Sequence, residues 1–487
     1  MDNSSSALTA TTIRGTFWTY ASYYSGRLAA LLSTILLARL LTQQDFGVAG
    51  YALVAINFLD VVSDLGIGSA VVYLRDDPQA LDTAFWLCVA AGVVLCGVGW
   101  FVAPWVGAFY RDERAIPVMR ALALSFPVSA LGNIHMSLLV KNLAFGRKFI
   151  PNLARALGKG TTSIGLALLG FGAWSLILGQ LAGAVLAVIV SWWVVAWRPA
   201  FRFDVTKVRP LLSYGLRMIS TGLLTTFGGN VDYLCVGRFL GASALGVYTL
   251  AFRIPELLVL QFCAVVGDVM FPVYTKLRDA PHMLAQGYLT TTRYVTAITL
   301  PMALGLVLLA EPLVLTVFGA RWAEAVPVLR AIAVYALVIS LAYGAGNVYK
   351  AQGRPEILTF TTIFQLALLV PALWWVTTTY GSIAAVGWTM ALVTLLEQIL
   401  QIVVAARLLK VPLLSILDAF RPAVIGGAIM VMLAWASLQM LGAAPHPVQL
   451  TTGVVVGVLA YGAALWWLQR DVVSTAHVAL RAALVRR

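Results

Sequence analysis

Charge is scarce in this chain: Asp, Glu, Lys and Arg make up only 11% of 487 residues, against 61% hydrophobic. Soluble domains carry about a quarter charged residues, so water is excluded as the main solvent of the fold. Cysteine is equally sparse. Cys88, Cys96, Cys235 and Cys263 all fall inside apolar runs and show no paired spacing, which excludes a disulfide framework and a thiolate metal site. The four histidines, His135, His282, His446 and His477, are scattered along the chain. No phosphate-binding loop, nucleophile elbow or dinucleotide fingerprint occurs, so neither a nucleotide-driven engine nor a cofactor is expected.

What the chain has instead is long apolar runs. A helix needs about twenty apolar residues to cross a bilayer, and such runs fall at 16–38, 47–71, 83–106, 116–139, 150–170 and 174–196. They resume at 211–236, 245–271, 289–310, 326–348, 357–377, 382–406, 420–441 and 449–468. The expected fold is therefore all-α and membrane-integral, with about fourteen spans. Gly170-Phe171-Gly172 and Tyr380-Gly381 leave so little connecting chain that each predicts a tight helical hairpin. The segment Met1 to Thr12 holds Asp2 and no Lys or Arg, so the first run reads as an uncleaved helix and not a signal peptide.

Cytoplasmic loops concentrate Lys and Arg. With fourteen spans, one set of faces collects about twenty-three of the 33 basic residues, Arg155 and Lys159 among them. The opposite faces hold Arg39, Arg111, Arg114, Arg120, Arg238, Arg321 and Arg330. Both termini are thus expected in the cytoplasm. The net charge of +13 is spread over many short loops, which suits anionic membrane lipid and does not point to nucleic acid.

The chain also repeats itself at an offset of about 199 to 210 residues. Arg39-Leu40-Leu41 with Phe46-Gly47-Val48 matches Arg238-Phe239-Leu240 with Leu245-Gly246-Val247. Pro117-Val118-Met119-Arg120-Ala121 matches Pro327-Val328-Leu329-Arg330-Ala331. Repeats an even number of spans apart imply halves of one orientation, related by a pseudo-two-fold axis along the membrane normal. The expected organisation is a six-helix bundle over 1–197, a basic cytoplasmic linker over 198–210, a second six-helix bundle over 211–410, and two further helices with a basic tail over 411–487.

The run Ala38-Arg39-Leu40-Leu41-Thr42-Gln43-Gln44-Asp45-Phe46-Gly47, with Asp64-Leu65-Gly66-Ile67-Gly68, Gly179-Gln180-Leu181-Ala182-Gly183 and Ala251-Phe252-Arg253-Ile254-Pro255-Glu256, resembles the polysaccharide-transporter branch of the multidrug/oligosaccharidyl-lipid/polysaccharide exporter superfamily. The resemblance implies a Wzx-like flippase in a bacterial inner membrane. Its cargo would be undecaprenyl-diphosphate-linked oligosaccharide, with polysaccharide polymerase and export machinery as possible partners.

Ionisable groups at membrane depth cost a few kcal/mol and are functional candidates by default. Arg27 sits mid-span with Tyr20, Tyr23 and Tyr24 on one helical face, a guanidinium and aromatic stripe suited to a sugar diphosphate. Arg217 and Arg253 are the other membrane-depth cations. Asn57, Asp60 and Asp64 form a polar stripe that suits ion coupling, or a structural helix end. Asp232 follows two glycines and an Asn. Glu256 lies one turn after Arg253, where an internal ion pair is the alternative, and Glu397 is expected in a helix-packing hydrogen bond. A cation-exporting multidrug antiporter would want an acidic group in the first span, and none lies between Thr16 and Ala38. A membrane polymerase or ligase would want a large outer loop, and the longest runs only from about Ala108 to Ala115.

Overall fold

The computed structural model describes residues 26, 29–63, 66–67, 71, 77–142, 144–208, 222–442 and 444–468. The described residues form helices without strands, and eleven of the helices are long and apolar enough to cross a membrane. A shorter apolar helix, α1, covers Ala29–Leu40. The chain divides into two compact units, Met1–Thr249 and Leu250–Arg487.

In the first unit α1 is followed by α2 (Gln43–Ser63), α3 (Pro78–Tyr110), α4 (Ala115–Ala123), α5 (Ser125–Lys141), α6 (Phe145–Leu168) and α7 (Ala173–Val194). The start of α2 is closed by a reciprocal cap. The Thr42 amide donates to Asp45 Oδ2 at 2.9 Å while the Asp45 amide donates back to Thr42 Oγ1 at 3.2 Å. Asp77 caps α3, accepting from the Gln79 and Ala80 amides, with Pro78 in the first turn where its missing N–H costs nothing.

The two hairpins expected from the sequence form. Gly170 and Gly172 take positive φ of 81° and 52° between α6 and α7, a region that side chains rarely enter. Along that hairpin Gly183 lets α7 approach the Arg155 carbonyl, which a Cβ would meet at 2.7 Å, and Gly179 seats on Ser163. Apolar side chains point outward as in a lipid-facing surface; Phe101 and Trp193 are each 79% exposed.

The basic segment after α7 is not a free tether. The Ala200 amide donates to Asp82 at 3.0 Å, the Asp204 amide to Thr83 Oγ1 at 3.1 Å, and Trp86 Nε1 to the Ala200 carbonyl at 3.0 Å. Trp86 stacks on Phe201, and Lys207 pairs with Asp77 at 2.7 Å. These contacts lay residues 200–207 along the first turns of α3.

Residues 222–228 are helical, and after a turn α8 runs over Val231–Pro255. Gly241, at φ 88° and ψ −176°, breaks it into two helices. The sequence places a connection between spans at this point. The second unit begins within α8. There Pro255 opens a π-turn, Glu256–Leu260, followed by α9 (Gln261–Lys276), α10 (Pro281–Leu308), α11 (Ala310–Val317), α12 (Ala325–Ala351), α13 (Glu356–Thr379), α14 (Ile383–Leu409), α15 (Leu413–Leu441) and α16 (His446–Leu468). Gly381, at φ 61°, turns α13 into α14 as expected. The last two helices pack on α10: Gly427 seats against Leu300, and Tyr461 donates its hydroxyl to the Ala297 carbonyl at 2.6 Å.

Candidate functional site

Arg27, Arg217, Tyr20, Tyr23, Tyr24 and Asp64 lie outside the described residues. The other expected site residues are described, and each unit holds some of them.

In the first unit α2 buries Phe46 through Ala52, Val54 and Ile56, while Asn57 and Asp60, nearer its C-terminal end, stay exposed. Asn57 Nδ2 donates to Asn230 Oδ1 at 3.3 Å, and Asn230 Nδ2 donates to the Thr226 carbonyl at 2.8 Å, terminating the 222–228 helix. Phe58 and Phe227 meet beside this pair with ring centroids 6.4 Å apart.

The charge that acts on Asp60 is Arg155, from α6. The two interact through space without a direct ion pair, and no protein anion among the described residues contacts the guanidinium. Arg155 is no loop residue. It sits eleven positions into a 24-residue helix and shares an exposed face with Asn152 and Lys159. The expected run 150–170 contains both cations, and the charge count assigns them to the cytoplasmic faces. The signal that would have found them is the 152, 155, 159 spacing, one helical stripe. A guanidinium offset by a nearby carboxylate and open on its other side is a ready fork for phosphate oxygens.

Asp232 is 1% exposed and accepts from the Tyr248 hydroxyl at 2.7 Å. No cation pairs with it among the described residues. Asp232 and Asp60 belong to the same unit but take different partners.

The same unit contains a close helix crossing. A Cβ on Gly47 of α2 would collide with the Ala242 carbonyl oxygen, and a Cβ on Gly246 of α8 would collide with the Gln43 carbonyl oxygen. The contact is reciprocal between two positions that the sequence repeat equates. It is flanked by a 2.7 Å hydrogen bond from Ser243 Oγ to Gln43 Oε1, by Gly50 against Leu245, and by Tyr51 stacked on Tyr110 at 4.2 Å with Gly237 beside both rings.

In the second unit Arg253 donates from Nη1 to Glu256 at 3.1 Å, the internal pair that the i, i+3 spacing allows. It forms where Pro255 interrupts the regular helix, and both side chains remain partly exposed. Glu397 is buried on α14 and accepts from its own neighbours Gln398, at 2.5 Å, and Gln401. The carbonyl of Gln401 in turn takes the Tyr349 hydroxyl from α12 at 2.5 Å. Glu397 is therefore clamped within its own helix, and the hydrogen bond between helices runs through the next turn. Among the described residues no group of three or more His, Cys, Asp or Glu could hold a metal.

Comparison with known proteins then decides the family. The profile of the family described as polysaccharide biosynthesis protein matches residues 36–327. The chain belongs to that family. Within reach of it are the teichuronic acid biosynthesis protein TuaB of Bacillus subtilis, 27% identical over 401 residues and 80% of this chain and 81% of TuaB, and the lipopolysaccharide biosynthesis protein WzxC of Escherichia coli, 26% identical over 346 residues and 70% of each chain. Among solved structures the fold is that of the lipid II flippase MurJ in an inward closed conformation, with a TM-score of 0.74 at 15% identity over 93% of this chain and 99% of MurJ. A multidrug resistance transporter of the MATE family in the MOP superfamily follows, with a TM-score of 0.64 at 17% identity over 79% of this chain and 94% of the other. The family member described here is an all-helical, multi-pass membrane protein.

Proposed function

We propose that this chain is a flippase that moves undecaprenyl-diphosphate-linked oligosaccharide units from the cytoplasmic to the outer leaflet of a bacterial inner membrane, for exopolysaccharide, capsule or O-antigen assembly. Membership of the polysaccharide biosynthesis family supports the pathway. The observation that carries the chemistry is Arg155, a guanidinium eleven positions into a membrane-length helix, with no anion from the described residues against it. An anionic headgroup that reaches the first unit finds this guanidinium free of a direct ion pair and able to fork onto its phosphate oxygens. Arg253, paired with Glu256, and Arg27, Arg217, Tyr20, Tyr23 and Tyr24 are the further residues proposed to bind substrate. Asp60, Asp64, Asp232, Glu256 and Glu397 are the acids open to ion coupling.

Dividing the eleven candidates once more at Gly241 of α8, and adding α6 and the helix at residues 29–40 to the apolar set, supports a count of fourteen spans. Residues 1–197 and 211–410 are then the two six-helix bundles, 198–210 their connection, and 411–487 an appendage, with both termini in the cytoplasm. Transport proceeds by alternating access. No nucleotide or metal is required, and polymerase and export machinery act on the product. MATE-like antiport shares the fold, but the cations Arg155 and Lys159 argue for an anionic cargo.

In a strain lacking the chain, plasmid copies carrying Arg155→Ala, Arg253→Ala or Arg27→Ala are expected to insert normally yet to export at least tenfold less polymer, with lipid-linked units building up inside. Unchanged export in all three removes the cationic docking from the account.

A further inference from the structure

A polar hollow opens in the first unit at the start of α2, away from Asp60 near the other end of that helix. It has a volume of about 320 Å3, at the lower end of ligand cavities, and is walled by Gln44 and Asp45 at the start of α2, Arg114 in the α3–α4 turn, and Phe171, Gly172 and Trp174 in the α6–α7 turn.

Its polar groups are fixed in place. Arg114 is held by Asp112 in a two-pronged pair, Nε to Oδ1 at 2.9 Å and Nη2 to Oδ2 at 2.8 Å, and its Nη1 reaches Gln44 Oε1 at 3.4 Å. Asp45 spends Oδ2 on Thr42, accepting from its amide and its hydroxyl at 2.9 and 2.7 Å. Oδ1 is left facing Gly172. A Cβ at Gly172 would sit 2.8 Å from that oxygen, so the turn glycine keeps this side of the hollow open. Two rings share the lining, Phe171 at 49% and Trp174 at 37% exposure.

Aromatic residues at helix ends are common as membrane-interface anchors. Such anchors have no need of a carboxylate, a braced guanidinium and a carboxamide around the same space. A pyranose ring does: its C–H face rests on an aromatic ring, and its hydroxyls pair with planar polar side chains. We propose that this hollow binds one sugar ring of a glycan. The inference rests on the flippase reading for its biological sense, because the hollow lies on the Arg-poor faces assigned to the outside, where translocated glycan emerges.

The test uses the full-length protein in nanodiscs with methyl β-glucoside, methyl β-galactoside, methyl N-acetyl-β-glucosaminide and methyl β-glucuronide, read by saturation-transfer NMR. At least one glycoside is expected to receive saturation, strongest on the protons of one ring face, with a loss of fivefold or more in Trp174→Ala and in Arg114→Ala and retention in Trp174→Phe. No saturation from any of the four, or equal saturation in wild type and Trp174→Ala, overturns the proposal. Binding is read without transport, so the two readings fail separately. Wild-type protein that exports polymer but takes up no glycoside sinks only the sugar site; protein that binds glycoside but flips no lipid-linked unit sinks only the flippase.

Discussion

Replacing Gly47 by Ala puts one methyl group where α2 and α8 cross, and the structure fixes what must follow. The group in its way is the Ala242 carbonyl oxygen, part of a backbone, so no rotamer change relieves the collision. The helices must part by about 1.5 Å to restore an ordinary carbon–oxygen contact. Overpacking of this kind costs about 1–3 kcal/mol, while Gly→Ala inside a helix returns up to about 1 kcal/mol. The net is about 1–2 kcal/mol against the crossed arrangement, a shift of roughly tenfold in its population.

Two other glycines separate this cause from a general effect of alanine. Gly50 faces the Leu245 methyl at 3.1 Å, a flexible side chain that can yield, and Gly97 of α3 has nothing within 4 Å. The assay is oxidative cross-linking of Gln43→Cys with Ser243→Cys in a background free of the four native cysteines, since the native side chains touch at 2.7 Å. Cross-linking should slow about tenfold in Gly47→Ala and in Gly246→Ala, slightly in Gly50→Ala, and not in Gly97→Ala. Equal rates in Gly47→Ala and Gly97→Ala would refute the crossing as a close backbone contact.

If Asp60 carries a coupling ion, Asp60→Asn should lower transport driven by a pH gradient several-fold while insertion is unchanged; a rate with the same gradient dependence rejects that role. Lys207 and the amides of Gln79 and Ala80 hold the Asp77 carboxyl below its usual 3.8. A depressed folded value means the contribution is present above about pH 4 and lost as pH falls through the folded value. The melting temperature of Asp77→Asn should therefore lie below wild type at pH 7 and converge with it well below pH 3.8; a constant offset contradicts the pairing. Tyr461→Phe removes a buried hydroxyl and leaves the Ala297 carbonyl without its 2.6 Å donor, so it should cost about 1 kcal/mol of stability. A melting temperature equal to wild type counts against that contact.

Much of the architecture was legible because lipid imposes one strong rule: backbone polar groups must be satisfied within each segment. Long apolar runs could only be helices, and the turn glycines Gly170 and Gly381 announced their hairpins by the backbone they demand. The repeat matched Gly47 with Gly246, but only the fold shows that the two meet. Local spacing also sufficed for Arg253 with Glu256. It failed where partners are far apart in sequence. Asp60 meets the field of Arg155 from four helices later, and Asp82 and Trp86 hold Ala200 across more than a hundred residues. The run 150–170 was legible as a helix, but the stripe that Asn152, Arg155 and Lys159 form on its exposed face says nothing of the distant group it meets.

The central claim is that an anionic lipid-linked sugar crosses the bilayer on this protein by docking against guanidinium groups, Arg155 first among them. Its most direct measurement is movement of a labelled polyprenyl-diphosphate-linked oligosaccharide across proteoliposomes, followed by its access to an external glycosidase. Translocation by wild-type protein, reduced at least tenfold in Arg155→Ala and less in Arg155→Lys, is the predicted result. Wild-type protein that moves no more label than empty liposomes, or an Arg155→Ala variant that moves as much as wild type, contradicts it.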